Sequence, residues 1–165
     1  LDTNHLLEIG FEGFYGEAKK ELNPKSEVFG TDFVSSNLNP FVDFATIHAY
    51  PEQWLPGSSE ETQAEFVKNW IDSHVGECGY VVKKPLVLAE FGKSYKIAGY
   101  SLEKRNKYLQ SIYDEIVASI RSGGAFVGGL FWQQMVPGMN SWGDGYEVIL
   151  EESPSTAAVV AEQSM

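Results

Sequence analysis

Four apolar runs recur at a nearly constant spacing along this chain, and that spacing is the strongest constraint on its fold. The runs cover residues 5–11, 41–49, 85–91 and 126–132. Near the ends of the last three runs, at steps of 42 residues, lie His48, Glu90 and Trp132. Short continuous apolar runs are typical of strands buried on both faces of a parallel sheet.

Amphipathic patterns between these runs predict helices. Serines at N-cap positions mark where three of the helices begin, at Ser58, Ser101 and Ser153, and a short helix is expected near 32–37. Glycines at 79 and 123–124 end the two long helices. Alternating strands and helices are typical of an α/β fold with a parallel sheet.

The number of strand-helix units favours part of a (β/α)8 TIM barrel. A barrel needs eight units and about 250 residues, whereas this chain has four units in 165 residues. We therefore expect a half barrel. A doubly wound sheet is the alternative, but it normally carries a glycine-rich phosphate-binding turn. Gly10, Gly13 and Gly16 do not form that motif.

Charge and composition exclude several classes of partner. Twelve basic against 23 acidic residues give a net charge of −11, which argues against binding to nucleic acid or to an anionic membrane surface. No apolar run reaches the length of a membrane span, about 18 residues. The three histidines are far apart in sequence, and the single cysteine adds no ligand cluster, so we expect no metal site and no cofactor.

Polar side chains at the ends of the predicted strands are the candidate catalytic residues, since α/β folds bind ligands at that edge. Glu90 interrupts a buried strand, where a carboxylate is costly unless it has a partner. It is either catalytic or part of a structural ion pair. His48 and Tyr50 point to the same side of their strand. They could contact Glu90 or a sugar, although a buried histidine often binds only backbone.

Several aromatic and acidic residues are candidates for substrate contacts. Trp132 offers a flat face suited to a sugar ring, but core packing is the commoner role of tryptophan. Trp54 and Trp142 follow strands, in loops where exposed aromatics are harder to explain as core. Glu12 follows the first strand and could contact a ligand or form a salt bridge. Trp70 lies on an apolar helix stripe and is assigned to packing.

Taken together, the sequence strings resemble one known family. The strings are HLLEIGFEGFYG, DFATIHAYPEQWLPGSSEE, KPLVLAEFGKS, GGLFWQ and SPSTA. In this order and spacing they are similar to the C-terminal half of plant endo-β-1,4-mannanases of glycoside hydrolase family 5. The resemblance covers nearly all 165 residues. It implies that residues 1–165 are the C-terminal half of a single glycoside hydrolase catalytic domain and form the last four βα units of its barrel.

The resemblance also implies roles for individual residues. Glu90 matches the catalytic nucleophile of a retaining enzyme that cuts within β-1,4-linked mannan, galactomannan or glucomannan. Tyr50 matches the residue that contacts the nucleophile, and His48 matches one that lines the cleft. Trp132 matches a stacking platform. Glu12 and Trp54 match positions that contact sugars on the leaving-group side.

One element of the family pattern is absent. The acid/base of this family is a glutamate preceded by asparagine, and the 165 residues contain no Asn-Glu dipeptide. We therefore expect the acid/base to belong to a missing N-terminal half of the same domain, and this chain alone to be nearly inactive. A non-catalytic carbohydrate-binding protein or an inactive truncated fragment is the alternative. The resemblance to plant enzymes further implies secretion to the extracellular space or cell wall.

Overall fold

The computed structural model describes residues 4–163 and contains a three-stranded parallel sheet. Its strands are β1 (Ala45–Ala49), β2 (Leu86–Phe91) and β3 (Phe126–Phe131), hydrogen-bonded in that order. The helices are α1 (Phe33–Asn37), α2 (Pro51–Trp54), α3 (Glu60–Glu77), α4 (Leu102–Arg121) and α5 (Pro154–Gln163). A second pair of short parallel strands, β4 (Gln134–Met135) and β5 (Val148–Ile149), follows β3.

Helices α3 and α4 are the crossovers that allow consecutive strands to run parallel. Each begins at a capping serine: the Ser59 side chain accepts a hydrogen bond from the Thr62 amide, and that of Ser101 from the Lys104 amide. The first cap is therefore Ser59 and not Ser58. The sequential strand order is that of neighbouring barrel strands, without the reversal that marks a doubly wound sheet.

The core lies between the sheet and the two long helices. Leu86, Leu88 and Phe91 of β2 are completely buried, and each contributes roughly 1.5–3 kcal/mol through burial of its apolar surface. From the helical layer, Trp70 and Ile112 pack into the same core. This packing fixes the strands and, with them, the position of the residues at their carboxyl ends.

The expected strand over 5–11 is not formed. Isolated hydrogen bonds connect this segment to β1 and to the residues just before it. Asp43 N donates to Leu7 O at 2.8 Å, and the Thr46 side chain donates through Oγ1 to Phe11 O at 3.2 Å. A strand requires a continuous ladder of backbone hydrogen bonds, and these isolated contacts do not form one. Leu6 and Leu7 are consequently exposed.

Within residues 4–163, none of the helices combines the length and the apolar character needed to cross a membrane.

Candidate active site

The parallel register of β1 and β2 brings His48 beside Glu90. The two residues are paired across the strands, immediately after a register shift that follows Ile47. Tyr50 comes two residues after His48 and precedes α2. The sequence prediction that these three side chains share the carboxyl end of the sheet is therefore matched by the structure.

One oxygen of Glu90 is hydrogen-bonded to Tyr50 and lies near His48. Tyr50 Oη donates to Glu90 Oε2 at 2.8 Å, and His48 Nδ1 lies 3.5 Å from the same oxygen. The Glu90 side chain is 31% exposed. Both contacts involve Oε2 and the side chain is partly exposed, so the arrangement can present a carboxylate to an electrophilic carbon.

The electrostatics keep Tyr50 protonated. Burial raises the pKa of its phenol, and the hydrogen bond to the Glu90 carboxylate raises it further. The phenol therefore remains a neutral hydrogen-bond donor at any physiological pH, and its partner oxygen stays anchored.

Trp132 follows β3 at the next strand end. Its backbone amide donates to Phe91 O at 2.8 Å, which ties it to the strand that carries Glu90. The indole Nε1 donates to Asp144 Oδ2 at 2.6 Å, and the residue is 39% exposed. An exposed indole with a fixed orientation is suited to stacking on a sugar ring, as the sequence predicts.

The structure corrects the placement of Trp54. It was expected in an exposed loop, but it ends helix α2 and packs against the core, with ring centroids 5.4 Å from Trp70 and 5.7 Å from Phe14. The helical turn that starts at Pro51 directs this indole toward α3 instead of toward the open strand ends. Trp142, in contrast, is 75% exposed.

Glu12 lies beside the strand-end residues through its backbone. Its carbonyl oxygen accepts a hydrogen bond from His48 N at 2.8 Å, and its side chain is exposed. Its proximity agrees with the expected sugar contact, and the role itself remains a prediction.

Sequence reasoning missed a buried acid, Glu52. It is 6% exposed, accepts a hydrogen bond from the Ser94 amide, and lies 3.7 Å from Lys93 Nζ. It thereby joins α2 to the loop that follows β2. A glutamate directly after a helix-starting proline reads as a solvent-exposed first-turn residue, so the sequence offers no signal for this burial.

Tyr146 was also missed. It is 7% exposed, and its ring packs edge-on against Tyr50 with centroids 5.2 Å apart. Its hydroxyl accepts from Gln53 Nε2 at 2.8 Å. Gly92 makes this packing possible, because a Cβ there would lie 2.9 Å from the Tyr146 ring and 2.6 Å from the Trp132 carbonyl oxygen.

Over the described part of the chain, residues 4–163, no group of three or more His, Cys, Asp or Glu side chains could hold a metal ion.

Comparison with known proteins shows which family this chain resembles in sequence. Residues 1–141 match the model of GH family 5 beta-mannosidase-like proteins. The chain is 51% identical to mannan endo-1,4-beta-mannosidase 1 of Arabidopsis thaliana, over 99% of its own length and 42% of that protein. It is 50% identical to mannan endo-1,4-beta-mannosidase 4 of Solanum lycopersicum, over 100% of its own length and 41% of that protein.

A solved structure is similar as well. The endo-beta-1,4-mannanase of Thermotoga petrophila superposes with a TM-score of 0.74 at 24% identity, over 99% of this chain and 36% of that one. Together with the parallel sheet, this likeness confirms the predicted fold class, a part of a (β/α)8 barrel. The chain spans about 40% of the length of the curated relatives that it matches.

Proposed function

We propose, from the premise that this chain belongs to the glycoside hydrolase family 5 β-mannosidase-like family, that it supplies the nucleophile-bearing part of a retaining enzyme. The substrate would be a β-1,4-linked mannan, galactomannan or glucomannan, cut within the chain. The names of the plant relatives, mannan endo-1,4-beta-mannosidases, support this substrate class. The observation that carries the proposal is the Glu90 carboxylate, held at the end of β2 by the Tyr50 hydroxyl.

In the proposed reaction Glu90 acts twice. Its free oxygen first attacks the anomeric carbon as the glycosidic C–O bond breaks, which gives a covalent glycosyl-enzyme. Water then attacks the same carbon as it gives up a proton to the second carboxyl group of the reaction, and Glu90 departs as a carboxylate. Tyr50 holds Oε2 during both steps, so the attacking oxygen needs little reorientation. Trp132 would support the sugar ring on its exposed face.

Retaining hydrolysis needs a second carboxyl group, about 5–5.5 Å from the first, to protonate the departing oxygen. We propose that this group lies outside the 165 residues, because they contain no Asn-Glu dipeptide. Without it the chain would hydrolyse mannan very slowly, since the departing sugar oxygen is a poor leaving group until it is protonated.

A donor with an activated leaving group tests the nucleophile without the acid. The chain Leu1–Met165 is incubated with 2-deoxy-2-fluoro-β-mannobiosyl fluoride, in which fluoride ion leaves unaided as the bond from Glu90 to the anomeric carbon forms. Mass spectrometry of the digested protein should find the adduct on the peptide that contains Glu90. Glu90→Gln should abolish the adduct, and Glu103→Gln, at an exposed position of α4, should retain it.

An adduct on another residue, or none on the unsubstituted chain, would refute the assignment of Glu90. A carbohydrate-binding protein without catalysis is the second candidate, and the fixed, exposed indole of Trp132 favours it. That function predicts saturable binding of mannohexaose with no covalent adduct. For location we propose the extracellular space or the cell wall, on the basis of the similarity to plant enzymes.

A further inference from the structure

The loop between β4 and β5 contacts the strand-end residues through Asp144. Its Oδ2 accepts the hydrogen bond from Trp132 Nε1 at 2.6 Å, and its Oδ1 accepts one from the Tyr146 amide at 2.9 Å. With both oxygens engaged, the carboxylate determines the orientation of the indole relative to the backbone that carries Tyr146. Burial raises the pKa of Asp144, but the hydrogen bonds from Trp132 and Tyr146, together with those from the Gln133 side chain and the Asp144 backbone, outweigh it. The net pKa is lowered, which favours the ionised acceptor.

Tyr146 contacts the other side of the site. Its ring packs edge-on against Tyr50, the donor to Glu90, and it fills the space next to Gly92. The hydroxyl is fixed by Gln53 Nε2. A change at Tyr146 would therefore let the Tyr50 ring move away from Glu90.

The loop itself is attached to the segment that follows β2. Glu147 accepts hydrogen bonds from Tyr95 Oη at 2.6 Å and from the Gly145 amide at 2.7 Å. The Tyr95 amide in turn donates to Gly145 O at 2.8 Å. Asp144 and Tyr146 thus lie on a loop that two hydrogen bonds from Tyr95 hold in place, which is what a positioning element requires.

We propose that Asp144 and Tyr146 are positioning residues that set the Trp132 indole and the Tyr50 hydroxyl relative to Glu90. The inference rests on the proposed function for its catalytic meaning, while the contacts themselves can be tested without it. Small displacements of reacting groups, on the order of 1 Å, can cost about 100-fold in rate, so two side chains outside the reaction can have a large effect on it.

The first measurement is spectroscopic and needs no activity. The chain has four tryptophans, so its ¹⁵N spectrum should contain four indole resonances, and Trp132→Phe identifies that of Trp132. Asp144→Ala should shift this resonance upfield and leave the other three in place. Asp144→Asn, which keeps one acceptor oxygen, should shift it less. Tyr146→Ala should move the ring protons of Tyr50, whereas Tyr146→Phe, which retains the aromatic ring, should not.

The second measurement is the rate of Glu90 labelling by the activated fluoride. Asp144→Ala and Tyr146→Ala should each lower it by about tenfold or more, and Tyr146→Phe by less. Asp72→Ala, which removes an exposed carboxylate of α3 paired with Lys68, is the matched control and should label at the unsubstituted rate.

Unchanged resonances of Trp132 and Tyr50 would overturn the proposal, and so would labelling at the unsubstituted rate in the Asp144→Ala and Tyr146→Ala variants. If the unsubstituted chain is not labelled, the proposed function fails, and the resonances alone decide whether Asp144 and Tyr146 fix their partners. If Asp144→Ala does not fold, as judged by circular dichroism, the Trp132 resonance of Asp144→Asn gives the answer.

Discussion

Two regions of this chain use the same residue types in opposite ways. The aromatic cluster on the buried face of α3 comprises Tyr15, Phe33, Trp70 and His74. The strand-end site comprises His48, Tyr50, Glu90 and Trp132. In the cluster the polar atoms of His74 bind backbone: Nδ1 lies 2.7 Å from Trp70 O, and Nε2 lies 2.8 Å from Gly13 O. In the site the polar atoms face each other, and Glu90 remains partly exposed.

The difference shows what separates a structural polar group from a functional one here. His74 is completely buried among rings whose centroids lie 4.2–4.6 Å away, and its role is complete within the fold. Glu90 has one oxygen held and a side chain that is 31% exposed. Trp70 connects the two regions, since its indole donates to His48 O at 3.0 Å.

The sharpest test of this comparison replaces one tryptophan in each region. Trp70→Ala should lower the free energy of unfolding by about 3–5 kcal/mol, because it leaves a large cavity. Trp132→Ala should lower it by less than about 1 kcal/mol, as expected of an exposed residue, yet reduce labelling of Glu90. Urea denaturation measures both values. Equal losses of stability would show that the two regions do not differ in this way.

The pH dependence of stability is the second test. Burial lowers the pKa of His74 to about 4, against 6.5 for the free group, even though its two carbonyl contacts raise it. Between these values the unfolded chain binds more protons than the folded one. The contribution is therefore fully present above pH 6.5 and is lost as the pH falls toward about 4, by up to about 3 kcal/mol.

The variant His74→Gln isolates this contribution. Carboxylates titrate alike in both proteins, so the difference between the two urea denaturation curves should shrink as the pH falls from about 7 to about 5. A parallel pH dependence in the variant and the unsubstituted chain would contradict the assignment to His74.

Substitution of two glycines by alanine is expected to change the stability by a smaller amount. Gly92→Ala places a methyl group 2.6 Å from the Trp132 carbonyl oxygen and should destabilise the chain by about 1–3 kcal/mol through overpacking. Gly76→Ala, in α3 and facing open space, should stabilise it by about 0.5–1 kcal/mol through helix propensity. Thermal denaturation separates the two. An unchanged melting temperature of the Gly92→Ala variant would mean that the strand-end site accommodates the added methyl group despite its close packing.

The sequence by itself determined the parallel sheet and the convergence of its central residues. The 42-residue period and the capping serines are local patterns, and parallel strands then necessarily bring their carboxyl ends together. His48, Tyr50 and Glu90 were predictable for that reason, and so was the packing role of Trp70, which is 1% exposed.

Only the tertiary structure decided where the flanking segments go. Trp54 turns into the core, residues 5–11 form isolated contacts in place of a strand, and Glu52 is buried against Lys93. The roles of Asp144 and Tyr146 likewise depend on contacts with Trp132 and Tyr50. Such contacts join residues distant in sequence, and their free energy depends on the packed surroundings, which no local pattern encodes.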